Sequence, residues 1–458
     1  MITQIEPMNR SQPWLAAWSW RLGLGVALLL GIGLRLVWGE DMEYKLDEWW
    51  TYERVQEIND GEPLPWLGMP TSAGFLHPGG TVWIFYALAK LTGAHDPVQL
   101  ARACQLLNIG ALLLLVGFAF FSVPREQREP WLWAAALVAV NPLAVLMHRK
   151  IWPPSVIPAL TMLLIITYWY RDRRLGAFAW GIAGAAIGAF YPAAMFLAAG
   201  FFLWALLFDR ARVAWRWWLP GSMIGVLPLL PWFWYVFTEM GTRVPSHRRW
   251  AHLVEGKFWL YWMTEPFGIS LHYSLGVDFS DFLSYPHCFG VPTYLVGVMH
   301  GVIVLAAVAL VAGLVRRLWR ERDRWRDLWI GRDSQTAFTQ NACLWGFGLV
   351  FTATMLSVYR HYMVITFPLM FLWLARAALA HRKPLAGSLS TGRAFLVGLC
   401  IAQLVITASF LGYIHVNQRT IQGDYATPYA AQPREGSEYP RPVPAGMTTA
   451  SATAATCP

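Results

Sequence analysis

Apolar stretches of roughly 18–20 residues recur along this chain from near residue 14 to near residue 414. As a helix rising about 1.5 Å per residue, each is long enough to cross a hydrocarbon layer of about 30 Å. The stretches are continuously apolar, without the alternation that a lipid-embedded strand needs, so helices are expected and not a barrel. Only 14% of the 458 residues are charged, against about 25% in a soluble domain. That leaves too little polar surface to meet water on every side. Many of the 27 tryptophans stand beside the ends of the stretches, Trp38, Trp152 and Trp232 among them, where amphipathic rings settle into the headgroup layer. The expected fold class is an all-α polytopic membrane protein.

Loop charge orients the spans. The stretch Asn9–Arg21 is basic and holds no acid, which predicts a cytoplasmic N-terminus. The first apolar stretch carries Arg35 and lacks a small-residue cleavage site, so it reads as a retained span and not a removable signal. Further spans are expected at about 103–122, 131–148, 156–170, 175–190, 192–208, 219–237, 290–315, 341–359, 362–380 and 394–414, about eleven in all. Arginines then cluster in every second loop, from Arg125 and Arg128 to Arg382 and Arg393. That alternation assigns the net charge of +9 to cytoplasmic loops and not to nucleic acid. Residues 1–414 read as one transmembrane domain whose long outer loops, 39–102 and 238–289, form its chemical face. The stretch Leu76–Leu91 reads as a helix on the outer surface, and residues 415–458, rich in Ala, Pro, Thr and Ser, as a mostly disordered outer tail.

The expected spans are almost free of charge, with His300 the main ionisable group deep inside one. Ion-coupled transporters carry acids and bases at mid-membrane, so chemistry is expected at the outer rim. Nine of the 27 acidic residues lie between Glu40 and Glu62. Most suit a solvated loop, but Asp47-Glu48 sits among Leu46, Trp49, Trp50 and Tyr52, where desolvation raises a carboxylate's pKa and suits it to accept a proton. The complementary outward basic groups are Arg35, Arg149-Lys150, Arg243, His247-Arg248-Arg249, Lys257 and Arg360-His361. Each suits either a lipid headgroup or a bound phosphate. Arg360-His361-Tyr362, ahead of Pro368, is the leading phosphate candidate.

These features in order resemble the membrane glycosyltransferases of the GT-C fold that use polyprenyl-linked sugars, including aminoarabinose transferases, protein O-mannosyltransferases and oligosaccharyltransferase catalytic subunits. The matching pieces are Arg35 at the end of the first span, Leu46-Asp47-Glu48, His77-Pro78-Gly79-Gly80, Ala101-Arg102, Asn141-Pro142 before Arg149, Pro228 to Trp232, and Tyr359-Arg360-His361-Tyr362 with Pro368. The resemblance implies a GT-C-like bundle that moves a sugar from a polyprenyl-phosphate donor to a lipid, glycan or protein acceptor, with inversion. It casts Asp47 and Glu48 as the catalytic acids, with Asp47 the general base. Arg360, Arg149, Lys150, Arg248, Arg249 and Tyr362 would hold the lipid phosphate, and His77 and Arg35 other parts of the substrates. The loop His148-Arg149-Lys150-Ile151-Trp152 lacks the acid that many relatives place there. A divalent metal therefore stays open, with Glu255, Glu265, Asp278 or Asp281 as substitute ligands.

Short loops fit a bacterial inner membrane, with the active site facing the periplasm or exterior. Two other readings remain at this point: a multi-pass transporter or flippase of lipid-linked substrates, and an inactive scaffold of the same fold.

Overall fold

The computed structural model describes residues 13–71, 74–240, 249–380, 384–386 and 389–432. Helices dominate, and among the described residues the strands form three two-stranded antiparallel ribbons. The ribbon that lies nearest the acidic loop pairs Leu67–Pro70 with Leu76–Pro78, in the register Leu67 opposite Pro78. Helix starts follow local capping chemistry. Asp96 accepts from the Gln99 amide at 2.8 Å ahead of Pro97, Asn141 from Ala144 at 3.1 Å ahead of Pro142, and Ser390 from Arg393 at 3.4 Å.

The expected bundle of about eleven spans is not what the structure holds. Among the described residues, four helices are long and apolar enough to cross a membrane: Pro97–Phe121, Trp215–Glu239, Leu295–Arg320 and Thr391–Asn417. A fifth is added only if Arg360–Thr366 and Leu369–Leu379, bent by 78° at their junction, count as one span. The reason is that an apolar stretch reports composition and not helix continuity. The stretch 131–148 breaks at Asn141-Pro142 into Arg128–Val140 and Pro142–Met147. Pro153–Trp169, Arg174–Phe190 and Ala194–Phe208 are only 17, 17 and 15 residues long, or about 22–26 Å, short of a hydrocarbon thickness of about 30 Å. The stretch 341–359 is divided between a π-helical turn at Ala342–Phe347 and the six-residue helix Gly348–Ala353. The four long helices make the chain membrane-associated. Leu295–Arg320 bears this out on its outer side, where Val298, Leu305 and Val308 are exposed, as a lipid-facing surface requires.

Helices pack closely where small residues allow it. Arg174–Phe190 and Trp215–Gly225 approach through Gly181, Gly221 and Gly225, and a Cβ on Gly221 would run into the Phe178 carbonyl. The core centres on Arg128–Val140, almost wholly buried. It is flanked by Pro13–Leu36, Pro97–Phe121 and Leu369–Leu379. The first part of the segment read as a tail is built into the fold. Tyr429 donates its amide to Met42 O at 3.0 Å, the Gln432 side chain donates to Tyr44 O at 2.8 Å, and Glu43 pairs with Pro428 in an antiparallel bridge. Residues 433–458 lie outside the described residues.

Candidate active site

The helix Leu46–Asn59 starts with the acid pair, and its first turn separates the two carboxylates. Glu48, in the third helical position, accepts from the Lys45 backbone amide at 3.0 Å and so serves as a capping-box acid. This turns it inward, where it is buried 3.7 Å from the Lys150 ammonium. Lys150 is itself buried and lies 2.8 Å from Glu43, which a second ammonium, Lys45, approaches to 2.5 Å. Burial would raise Glu43, but Lys150 and Lys45 outweigh it and hold Glu43 below the usual carboxylate range. Glu48 has the more distant cation, and burial pushes it up to about 7. The raised carboxylate is thus Glu48, sealed from substrate.

Asp47 points the other way and stays half-buried. Its Oδ2 accepts from the Trp152 indole at 3.1 Å. From Trp152 a series of rings leads away. His361 meets Trp152 edge-on at 5.0 Å, Tyr362 lies 4.4 Å from His361, Tyr191 lies 6.2 Å from Tyr362, and His77 stacks on Tyr191 at 6.0 Å. Asp47, His77 and Tyr362, read from three distant stretches of sequence, therefore line one aromatic platform, and Arg360 precedes its member His361 in the chain. Burial presses the His77 imidazole down to about 4, so it is neutral at physiological pH, and its Nδ1 has no hydrogen-bond partner. Tyr191 is the member of this platform that the sequence reading missed. Its only signal is that it precedes Pro192, where a helix ends.

Arg360 is buried beside His361. It donates through Nη1 to Ser270 O at 2.8 Å and through Nη2 to the Ser274 hydroxyl. Ser270 in turn donates to Glu265, whose carboxyl burial raises to about 7 despite the nearby Arg360 charge. The guanidinium also lies over the Tyr273 ring, 5.4 Å from its centre, and 4.0 Å from the exposed carboxylate of Asp424. Asp424 arrives on the segment after Thr391–Asn417, which donates from the Asp424 and Tyr425 amides to Tyr273 O at 2.9 Å and Ser274 O at 3.0 Å. The same segment offers the Asp424 carbonyl to Lys45 Nζ at 2.5 Å. It thereby straps the two long loops together. Nothing in its composition signals this, because its apolar anchors are the isolated rings of Tyr425 and Tyr429.

Other predicted site residues are placed elsewhere. Arg35 and Arg149 direct most of their donors to backbone, and Arg35 Nε donates to His148 Nδ1 at 3.1 Å. Arg35 donates to Gly31 O at 2.8 Å, Ala139 O at 2.7 Å and Val138 O at 2.8 Å. Arg149 donates to Leu34 O at 2.7 Å, Val37 O at 2.7 Å and Trp38 O at 2.8 Å. Both satisfy the free carbonyls at the C-terminal ends of Pro13–Leu36 and Arg128–Val140, which explains their outward placement without a phosphate. Arg249 is exposed and held through its amide to Met355 O at 3.1 Å. Arg248, with Arg243 and His247, lies outside the described residues.

The carboxylates offered as metal ligands are engaged apart from one another. Glu255 lies 2.9 Å from both His252 and Lys257, Asp278 lies 2.8 Å from Arg419, and Asp281 accepts from the Tyr413 hydroxyl at 2.7 Å. Among the described residues no three His, Cys, Asp or Glu side chains converge. The donor set of the described residues does not fit a divalent ion.

No family model matches the chain and no curated protein matches it. Among solved structures it is similar to the crystal structure of the Archaeoglobus fulgidus oligosaccharyltransferase in the apo form, at 14% sequence identity and a TM-score of 0.45. The similarity covers 94% of this chain and 62% of that one, so the chain spans about three fifths of its length.

Proposed function

We propose that this protein is an integral-membrane glycosyltransferase that moves a sugar from a polyprenyl-phosphate donor to a lipid, glycan or protein acceptor, at the face carrying Asp47. The observation that carries the reading is the aromatic platform joining Asp47, through Trp152, to His361, the chain neighbour of the buried Arg360. Asp47 takes the proton of an acceptor hydroxyl or amine as that atom attacks the anomeric carbon. The bond from that carbon to the phosphate oxygen breaks, and its electron pair leaves with the lipid phosphate. Negative charge therefore develops on the leaving group, where a fixed guanidinium is worth most. Arg360 supplies it. Lys150 is neutralised by Glu43 and Glu48, and Arg35 and Arg149 are bound to backbone, so they position the loops. In this reading Asp424 occupies the anion position beside Arg360 until a phosphate displaces it. Ring faces on the platform suit the C–H faces of a sugar and the isoprenoid chain.

Orientation with the site outside a bacterial inner membrane, and a single functional domain over 1–414, belong to the same proposal. The test is Asp47→Asn, which still accepts the Trp152 hydrogen bond but cannot take a proton. Mass spectrometry of envelope glycans and glycolipids is expected to show a product that depends on the parental protein and falls at least about 100-fold in the variant at equal abundance. Parental product levels from the variant would remove Asp47 as the base.

A further inference from the structure

A second feature, an open cavity, lies far from the aromatic platform. It encloses about 540 Å³ and is lined by Arg317, Arg320 and Glu321 from one helix, Arg376 and Leu379 from another, and Pro130. Its place along the spans follows from Thr391–Asn417. The far end of that helix bonds Asp41 through His415 at 2.7 Å, beside the acid loop. Its first turn, at Gly392, rests on Ala378, next to Arg376. The helix has 27 residues, so cavity and platform are separated by about 40 Å along it, on opposite faces of the membrane-crossing part.

Arginines at helix C-termini are commonly explained by the helix dipole and by snorkelling. That covers Arg317 and Arg320, which close Leu295–Arg320, and Glu321 partly neutralises them at 2.9 Å from Arg317. Arg376, in the last turn of Leu369–Leu379, is open to the same explanation, but that does not account for its fixed position. This side chain comes from a different helix, is half-buried, and is pinned through Nη1 to Gln340 Oε1 at 2.7 Å. Gln340 is fixed in turn by its bond to Asn341 at 3.0 Å. Arg376 is thus held within repulsion of Arg317, in the wall of an open space, and the one carboxylate outside the lining that attracts it, Asp333, is paired with Arg324 at 3.1 Å. Three guanidiniums, one carboxylate and two helix ends of about half a negative charge each leave a net charge of about +1. Like charges held together around an empty volume are a cost that an anion removes, and planar guanidiniums from two helices match tetrahedral phosphate oxygens.

We propose that this cavity is a phosphate-binding site on the face opposite Asp47, taking the phosphate of an anionic lipid headgroup or of a small soluble phosphate. It is separate from the transfer reaction and would remain if that reaction were reassigned.

The test uses the full chain in detergent with phosphatidylglycerol, phosphatidylcholine and inorganic phosphate as probes. Lipid retention is read by native mass spectrometry and protection by thermal unfolding. The parental protein is expected to retain one phosphatidylglycerol in preference to phosphatidylcholine. Arg376→Gln and Arg320→Gln should each weaken that retention about tenfold. Arg320 is exposed, so its variant keeps the proposal testable if Arg376→Gln does not fold. If millimolar inorganic phosphate protects the parental protein and not the variants, with no preference between the lipids, the site takes a soluble phosphate. Retention and protection that are unchanged in both variants would overturn the proposal.

Discussion

Replacing Lys150 with Met separates a structural ion cluster from a substrate-binding one. Lys150 is 2.8 Å from Glu43 and 3.7 Å from Glu48, all three are buried, and its ammonium sits 4.2 Å over the Trp152 ring. Methionine keeps the stem that packs on the ring and deletes the charge. Two buried carboxylates are then left with only the half-exposed Lys45, and breaking a buried pair by removing one partner costs about 3–5 kcal/mol. The pH dependence has a definite sign. In the parental protein Glu43 is held low, so its contribution is present above its unfolded value and is lost as pH falls. Glu48 is held at about 7, so the stability it permits is complete below about 4.5 and is lost as pH rises through about 7. Without Lys150 both carboxyls move up, so the variant's deficit is largest near about pH 8 and shrinks toward about pH 5. Equilibrium unfolding in mixed micelles, followed by tryptophan fluorescence, measures it. A double variant with Glu43→Gln should recover at least half of the loss, because an apolar and neutral pair replaces an orphaned charge. A deficit below about 1 kcal/mol near pH 8, or one that does not change with pH, would refute the buried-cluster account.

Three further outcomes follow from the same geometry. Glu48→Gln retains a carbonyl for the Lys45 amide and removes the buried charge, so the parental loss of stability from about pH 5 to about pH 8 should flatten; an unchanged slope in unfolding titrations would assign that loss to another group. Trp152→Phe keeps a ring against His361 and deletes the donor to Asp47, and transfer should fall about tenfold with little change in stability; full activity would show that the indole does not position Asp47. Gly276 has φ +56 and sits against the Gln422 carbonyl, so Gly276→Ala should unseat residues 418–432 at a cost of about 1–3 kcal/mol and expose them to limited proteolysis, and an unchanged cleavage pattern would count against the strap.

The acid pair shows how far local sequence reasoning reached. That Asp47-Glu48 opens a helix among aromatic residues was legible, because apolar neighbours and helix starts are local properties. Which acid is sealed and which is available was not, since it depends on Glu48 bonding back to Lys45 while Lys150 approaches from a hundred residues away. The basic set behaved likewise. Arg360, Arg35 and Arg149 read alike in the sequence, yet Arg35 and Arg149 serve helix ends while Arg360 bonds Ser270 and Ser274.

Composition and the recurrence of apolar stretches determined by themselves that this is a helical, membrane-associated chain, because the transfer cost of polar groups acts residue by residue. Tertiary structure alone decided how many of those stretches run unbroken, since helix length depends on where proline, capping and packing interrupt the backbone. It also decided which charges are neutralised. The strap at 418–432 and the platform from His77 to Asp47 are made by contacts across hundreds of residues, and such pairings leave no period or motif in the chain to read.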